Sequence, residues 1–167
     1  RMAPHIRILA PAGVRSAPGV ILMSGCGGVR AVTRRTAERL GEQGKAALIV
    51  DSMTPRGLSY EDALAQVCSG KTLWGRERAA DVYAALEIAR RDPRIDETRL
   101  AAVGWSHGGW TLADAMTLAA QGQAPDGLAI ETAEVMEIDG VPLGSAPGTI
   151  TLPPEARVAV TAPFPGA

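Results

Sequence analysis

The chain has 167 residues, of which 46% are hydrophobic and 21% are charged, and its formal net charge is −1. This length and composition are typical of one globular domain with a substantial core. The near-neutral charge gives no strong field that would attract nucleic acid or anionic lipid. No apolar run approaches the ~20 residues that a membrane span requires. The sequence therefore predicts neither a nucleic-acid partner nor a membrane partner.

Apolar and amphipathic segments alternate along the chain. The predicted elements are a strand at 19–24, a helix at 30–44, a strand at 45–51, a polar loop at 52–75 with a short helical stretch at 59–68, a helix at 76–91, an apolar strand at 99–104 and a helix at 108–120. Continuous apolar strands between amphipathic helices predict an α/β three-layer sandwich with a mostly parallel sheet. In such a sheet, ligands bind beyond the carboxyl ends of the strands.

The composition changes after the last predicted helix. Residues 121–156 are rich in Gly, Pro and Ala, and they include a predicted hairpin around Asp139-Gly140. We interpret about 122–155 as an insertion. The segment after it, "ARVAVTAPFPGA", predicts a fourth core strand, so that 1–167 form a single, partial domain.

The segment "RLAAVGWSHGGWT" contains the pattern Gly-x-Ser-x-Gly at Gly104, Ser106 and Gly108. An apolar strand precedes it and a helix follows, which is the context of a nucleophile elbow. Ser106 is therefore the candidate nucleophile, and the backbone amide of His107 is a candidate oxyanion donor because a helix N-terminus presents free N–H groups. The alternative is that Ser106 merely caps the helix and that the glycines allow close packing.

A second glycine-rich turn, Ser24-Gly-Cys-Gly-Gly, follows the first predicted core strand. A hydrolase needs a second oxyanion donor from this position, and the amide of Cys26 is the best candidate, with that of Gly27 next. The turn is otherwise an ordinary strand-to-helix connection. A different class also fits, since Gly25-x-Gly27 followed by Asp51 imitates a dinucleotide-binding unit. Arg30 occupies the third glycine position of that motif, however, which weakens this alternative.

Together these residues resemble the α/β-hydrolase superfamily and, more narrowly, the dienelactone hydrolase family. The resemblance is carried by "GVILMSGCGG", "ALIVDSMTPRG", "RAADVYAALEIARRDPRIDETRLAAVGWSHGG" and, less firmly, "VAVTAPFPG". It implies an α/β-hydrolase fold and a serine hydrolase that cleaves a small ester or lactone through an acyl-enzyme, with neither a metal nor an organic cofactor. The namesake of the family carries cysteine where this chain has Ser106.

The resemblance also implies a catalytic acid and a histidine, and neither is convincing in this chain. The only histidines are His5 and His107. We expect His5 to lie on the surface, and the side chain of His107 to point away from the serine hydroxyl. Since the chain order of this fold is Ser, acid, His, we expect the acid and the base beyond residue 167, and the chain alone to be inactive. A non-catalytic module that keeps the elbow for packing is the alternative function.

Four further residues carry expectations. Arg56 is a candidate for binding a substrate carboxylate, or else it forms an ion pair with Asp51 or a free surface charge. Trp105 is a candidate for lining the substrate pocket, although simple packing is the commoner role. The two cysteines, Cys26 and Cys68, are too few for a disulfide scaffold, and Cys68 is expected to be buried in its loop or paired outside the chain.

No signal peptide is visible, so we expect a cytoplasmic location, with a periplasmic or secreted location left open. Homo-oligomerisation is also left open.

Overall fold

The computed structural model describes residues 4–124 and 158–161. In chain order its elements are β1 (His5–Leu9), β2 (Ala17–Met23), α1 (Ala31–Glu42), β3 (Ala46–Asp51), α2 (Tyr60–Asp62), α3 (Gly75–Arg91), β4 (Ile95–Trp105), α4 (His107–Ala120) and β5 (Val158–Thr161). A 3₁₀ turn at Thr54–Arg56 precedes α2, and a π-helical turn at Ala63–Val67 continues it. The predicted elements are present in this part of the chain. From residue 125 onward the predicted insertion, with its hairpin at Asp139-Gly140, lies outside the described residues.

The strands form one sheet in the order β1-β3-β2-β4-β5. Strands β2 to β5 pair in parallel, and β1 pairs antiparallel with β3. The predicted mostly parallel sheet is therefore confirmed, as is a strand in the predicted final segment, which is β5. The sequence patterns missed β1 because it is a short edge strand whose residues alternate between exposed and partly buried instead of forming an apolar run.

Helices cover both faces of the sheet. Successive strand residues point to opposite faces, so Ile21 and Met23 pack in one core cluster with α3 and α4. Val20 and Leu22 pack in a second cluster with α1 on the other face. This three-layer arrangement buries the interior strands on both sides, which explains why they are apolar throughout.

The parallel strands bring their carboxyl ends to one edge of the sheet. Ser24 directly follows β2, Ser52 directly follows β3 and Ser106 directly follows β4. This edge therefore collects the residues that the sequence singled out, as expected for an open α/β sheet.

Candidate active site

Ser106 occupies a sharp turn between β4 and α4. Its backbone has φ 49° and ψ −120°, a positive φ that few residues other than glycine adopt. The serine is solvent-exposed, and its side chain forms no capping hydrogen bond with the helix that follows. The geometry therefore fits the nucleophile elbow and gives no support to the capping alternative, because a cap residue has extended backbone angles and bonds the first turn.

The two glycines of the elbow (residues 104–108) are required by close backbone contacts. A Cβ on Gly104 would lie 2.5 Å from the carbonyl carbon of Gly108. A Cβ on Gly108 would clash with the carbonyl oxygen of Met23 and lie 2.6 Å from that of Ser24. The start of α4 therefore passes so close to the ends of β4 and β2 that only glycine, which has no Cβ, fits at these two positions.

The glycine turn (residues 25–28) lies against this elbow. A Cβ on Gly25 would lie 3.5 Å from the Trp105 carbonyl oxygen and 3.7 Å from Ser106 Cβ. The turn is closed by a hydrogen bond that the Gly28 amide donates to the Gly25 carbonyl at 3.1 Å.

Three amide N–H groups at this edge, those of Cys26, Gly27 and His107, have no hydrogen-bond partner among the described residues. For His107 the reason is its place at the first position of α4, where a helix has no internal acceptor for the N–H. The structure thus places the glycine turn, which contains Cys26 and Gly27, against the elbow that contains Ser106 and His107.

Cys26 is bonded to Cys68 in a disulfide, which corrects the expectation that Cys68 is unpaired within the chain. Cys68 follows the π-helical turn, and Cys26 packs with the small apolar cluster under that loop. The bond joins residues 42 positions apart, so neighbouring sequence gave no signal for it. It ties the glycine turn directly to the loop that precedes α3.

Behind the elbow lies a buried arginine that the sequence reasoning missed. Arg78 of α3 is fully buried, and its guanidinium donates to Ser52 Oγ at 2.8 Å, to the Ser24 carbonyl at 2.8 Å and to Ser24 Oγ at 3.1 Å. The guanidinium also contacts His107 Nδ1 at 3.2 Å. A signal was available, because Arg78 lies four residues before Val82 on the core-facing side of α3, where a charge needs partners.

The ring of His107 is neutral and turned into this buried site. Burial and the charge of Arg78 lower the pKa of His107 to about 4. Because Arg78 can only donate hydrogen bonds, Nδ1 is the acceptor and the ring proton is on Nε2. The side chain also hydrogen-bonds the Leu73 backbone. The ring is therefore occupied in the core, which agrees with assigning only the backbone of His107 to the site.

Arg56 has a different partner from those expected. Its two Nη atoms bond Asp81 of α3 in a bidentate ion pair, both at 2.9 Å, and Nη1 also donates to the Ser52 carbonyl. Asp81 is buried and Arg56 is largely so. The ion-pair alternative therefore applies, with Asp81 in place of Asp51, and this pair occupies the two Nη atoms with which Arg56 would bind a substrate carboxylate.

Two other expectations meet competing contacts. Trp105 packs, half-buried, against the core cluster on the α1 face, so its geometry favours packing over a pocket role.

The Asp51 carboxylate accepts hydrogen bonds from the Met53 and Thr54 amides and from the Thr54 hydroxyl. Burial alone would raise the pKa of Asp51, but these bonds outweigh it and hold the pKa below its usual value. A carboxylate engaged within its own loop is poorly placed to bind a ribose, which weakens the dinucleotide alternative.

Residues 4–124 and 158–161 contain neither a metal-binding cluster nor a membrane-spanning helix. No group of three or more His, Cys, Asp or Glu side chains in these ranges is arranged to hold a metal ion. No helix in the same ranges combines the length and apolar character needed to cross a membrane.

A strained serine at the strand-to-helix turn of an interior parallel strand, in a three-layer sandwich, defines the α/β-hydrolase superfamily. A family model described as the prolyl oligopeptidase family matches residues 38–132, which is more than half of the chain. The chain belongs to the prolyl oligopeptidase family, and the superfamily resemblance is confirmed.

The fold also occurs in a solved structure. A protein from Klebsiella pneumoniae described as a dienelactone hydrolase is similar with a TM-score of 0.54 and 20% identity, over 64% of this chain and 45% of that one. An esterase from Thermogutta terrifontis, with propionate bound, matches with a TM-score of 0.48 and 20% identity, over 65% of this chain and 38% of that one. The chain therefore spans less than half the length of these structures. A search of curated proteins gave no match.

Proposed function

We propose that the chain carries the nucleophile and the oxyanion hole of a serine hydrolase that cleaves a small ester or lactone. Ser106 Oγ forms a bond to the substrate carbonyl carbon and loses its proton to a base. The ester C–O bond breaks, and the alcohol oxygen leaves with a proton. Water then cleaves the acyl-enzyme, which releases the carboxylic acid and restores the serine. The observation that carries this proposal is the positive φ of Ser106 between two glycines that cannot bear a side chain.

The oxyanion of the tetrahedral intermediate accepts hydrogen bonds from the backbone. The donors are the amide of His107 and the amide of Cys26, with that of Gly27 as the neighbouring choice. Their lack of other partners among the described residues supports this role. Donors of this kind are each worth on the order of 10²- to 10³-fold in rate, because they face the charge that develops in the transition state.

Neither of the two histidines of the chain is placed to act as the general base. The ring of His107 is engaged by Arg78 and Leu73. His5 lies on β1, which is three strands from β4 in the sheet. At about 4.8 Å per strand this separation is roughly 14 Å, beyond hydrogen-bond reach of Ser106. The chain by itself is therefore expected to be inactive or nearly so.

The test uses the full-length protein that contains this chain. Wild type, Ser106→Ala and the exposed-serine control Ser69→Ala are compared on 4-nitrophenyl acetate and a small lactone, and each is treated with a fluorophosphonate. We expect turnover and a phosphonyl adduct on the Ser106 peptide in wild type and in Ser69→Ala, and neither in Ser106→Ala. A wild-type protein without turnover or adduct supports the non-catalytic module instead.

A peptide bond is the second candidate substrate. The matching family is named after prolyl oligopeptidases, and the same acyl-enzyme chemistry cleaves amides. A prolyl peptide in the substrate panel separates the two candidates by the ratio of their kcat/KM values.

The disulfide bears on location. Disulfides persist in oxidising compartments and are rare in the cytosol, so the Cys26–Cys68 bond favours a periplasmic or secreted protein over the cytoplasmic one expected from the sequence. Homo-oligomerisation stays a prediction.

A further inference from the structure

We propose that Arg78 is a positioning residue that fixes the glycine turn and the elbow relative to each other, an inference that rests on the proposed function. Arg78 itself does not touch the substrate. It acts through the backbone and side chains that present the oxyanion donors.

The first support is the rigidity of its contacts. A guanidinium is planar, with five N–H donors in fixed directions. In Arg78 all three nitrogens are used: Nε bonds Ser52, Nη2 bonds the Ser24 hydroxyl, and Nη1 contacts both the Ser24 carbonyl and His107. Because these bonds share one rigid plane, none of the three segments can shift without straining the other two.

The second support is where those partners lie in the chain. Ser24 directly precedes the glycine turn, and its carbonyl and hydroxyl are both held. His107 directly follows Ser106 and supplies one of the candidate oxyanion amides. Ser52 follows β3, the strand beside β2. One side chain thus joins three strand ends, including the two that carry the candidate oxyanion donors.

The third support is that stability alone is a poor reason for this residue. Among the described residues, no carboxylate hydrogen-bonds Arg78, and its direct partners are neutral. The nearby carboxylate of Asp81 is taken by Arg56. Burial lowers the pKa of Arg78 to about 10, so the group is still a cation at neutral pH. A buried cation of this kind costs more than an apolar side chain of similar volume, and the geometry it imposes explains its presence.

The experiment compares Arg78→Lys, Ser52→Ala and the control Arg91→Lys in the full-length protein. Lysine keeps the charge of Arg78 but loses the planar fork, and Ser52→Ala removes one acceptor only. Arg91 lies on the same helix with an exposed side chain, so its replacement leaves the site untouched. For each variant kcat and KM on 4-nitrophenyl acetate are measured together with the melting temperature.

A positioning role predicts a loss in kcat with little change in KM. We expect Arg78→Lys to lower kcat on the order of 10- to 100-fold, as supporting residues of catalytic groups do. We expect Ser52→Ala to lower kcat about fivefold or more and the melting temperature by roughly 3–9 °C, because Arg78 Nε is left buried without its acceptor. Arg91→Lys matches wild type.

Three results would overturn the inference. One is a folded Arg78→Lys variant with the kcat of wild type. Another, decisive if Arg78→Lys fails to fold, is a Ser52→Ala variant with wild-type kcat. The last is a wild-type protein without Ser106-dependent turnover. That result refutes the proposed function itself, and the first two leave the proposed function standing.

Discussion

Removal of the Cys26–Cys68 disulfide tests the structure most directly, because the bond joins two loops that no sequence pattern connects. The perturbation is the double variant Cys26→Ala/Cys68→Ala, which leaves no unpaired thiol. The bond closes a loop of 42 residues, and the chain-entropy relation then gives a stabilisation of about 4 kcal/mol. For a protein of 167 residues, an unfolding entropy of ~2.1 cal/mol/K per residue converts this to a fall in melting temperature of about 11 °C.

The assay is thermal unfolding of wild type and the double variant, each with and without dithiothreitol. We expect reduction to lower the melting temperature of wild type to that of the variant and to leave the variant unchanged. Thiol alkylation before and after reduction counts two cysteines only in the reduced wild type. The reasoning is refuted if wild type alkylates without reduction, or if the variant melts within ~2 °C of wild type.

Three further predictions concern the elbow and its surroundings. The folded-state pKa of His107, about 4, lies below the unfolded value of about 6.5. The contribution of His107 to the free energy of unfolding is therefore complete above pH ~6.5, and about 3 kcal/mol of it is lost as the pH falls toward 4. His107→Asn, which keeps an oxygen acceptor for Arg78, should flatten that decline in a melting series against pH. Gly108→Ala should cost about 3 kcal/mol in urea unfolding because its methyl meets backbone carbonyls. Gly25→Ala, with ordinary contacts only, should cost under ~0.5 kcal/mol, and equal losses would contradict the packing argument. Ser106→Gly should stabilise the protein by about 1 kcal/mol, since glycine relieves the positive φ; an unchanged unfolding midpoint would show that the turn carries no strain.

The sequence by itself determined the layered α/β architecture and the position of the elbow. Both depend on local patterns: continuous apolar strands, amphipathic helices and a Gly-x-Ser-x-Gly turn between one of each. Gly104 and Gly108 belong to this group, because the requirement for them arises within a few residues of Ser106 and at the neighbouring strand end. The edge strand β1 escaped prediction because its pattern is weak and its pairing with β3 is distant in sequence.

Only the tertiary structure decided the partners of the charged and sulfur-bearing side chains. The pair Arg56–Asp81 spans 25 residues and the bond from Arg78 to the Ser24 carbonyl spans 54. A charge on a helix face predicts that some partner exists, but many residues of suitable chemistry compete for it. The choice is made when the strand ends, α3 and the elbow meet at one edge of the sheet, where burial leaves each polar group only the neighbours that the fold places within hydrogen-bond distance.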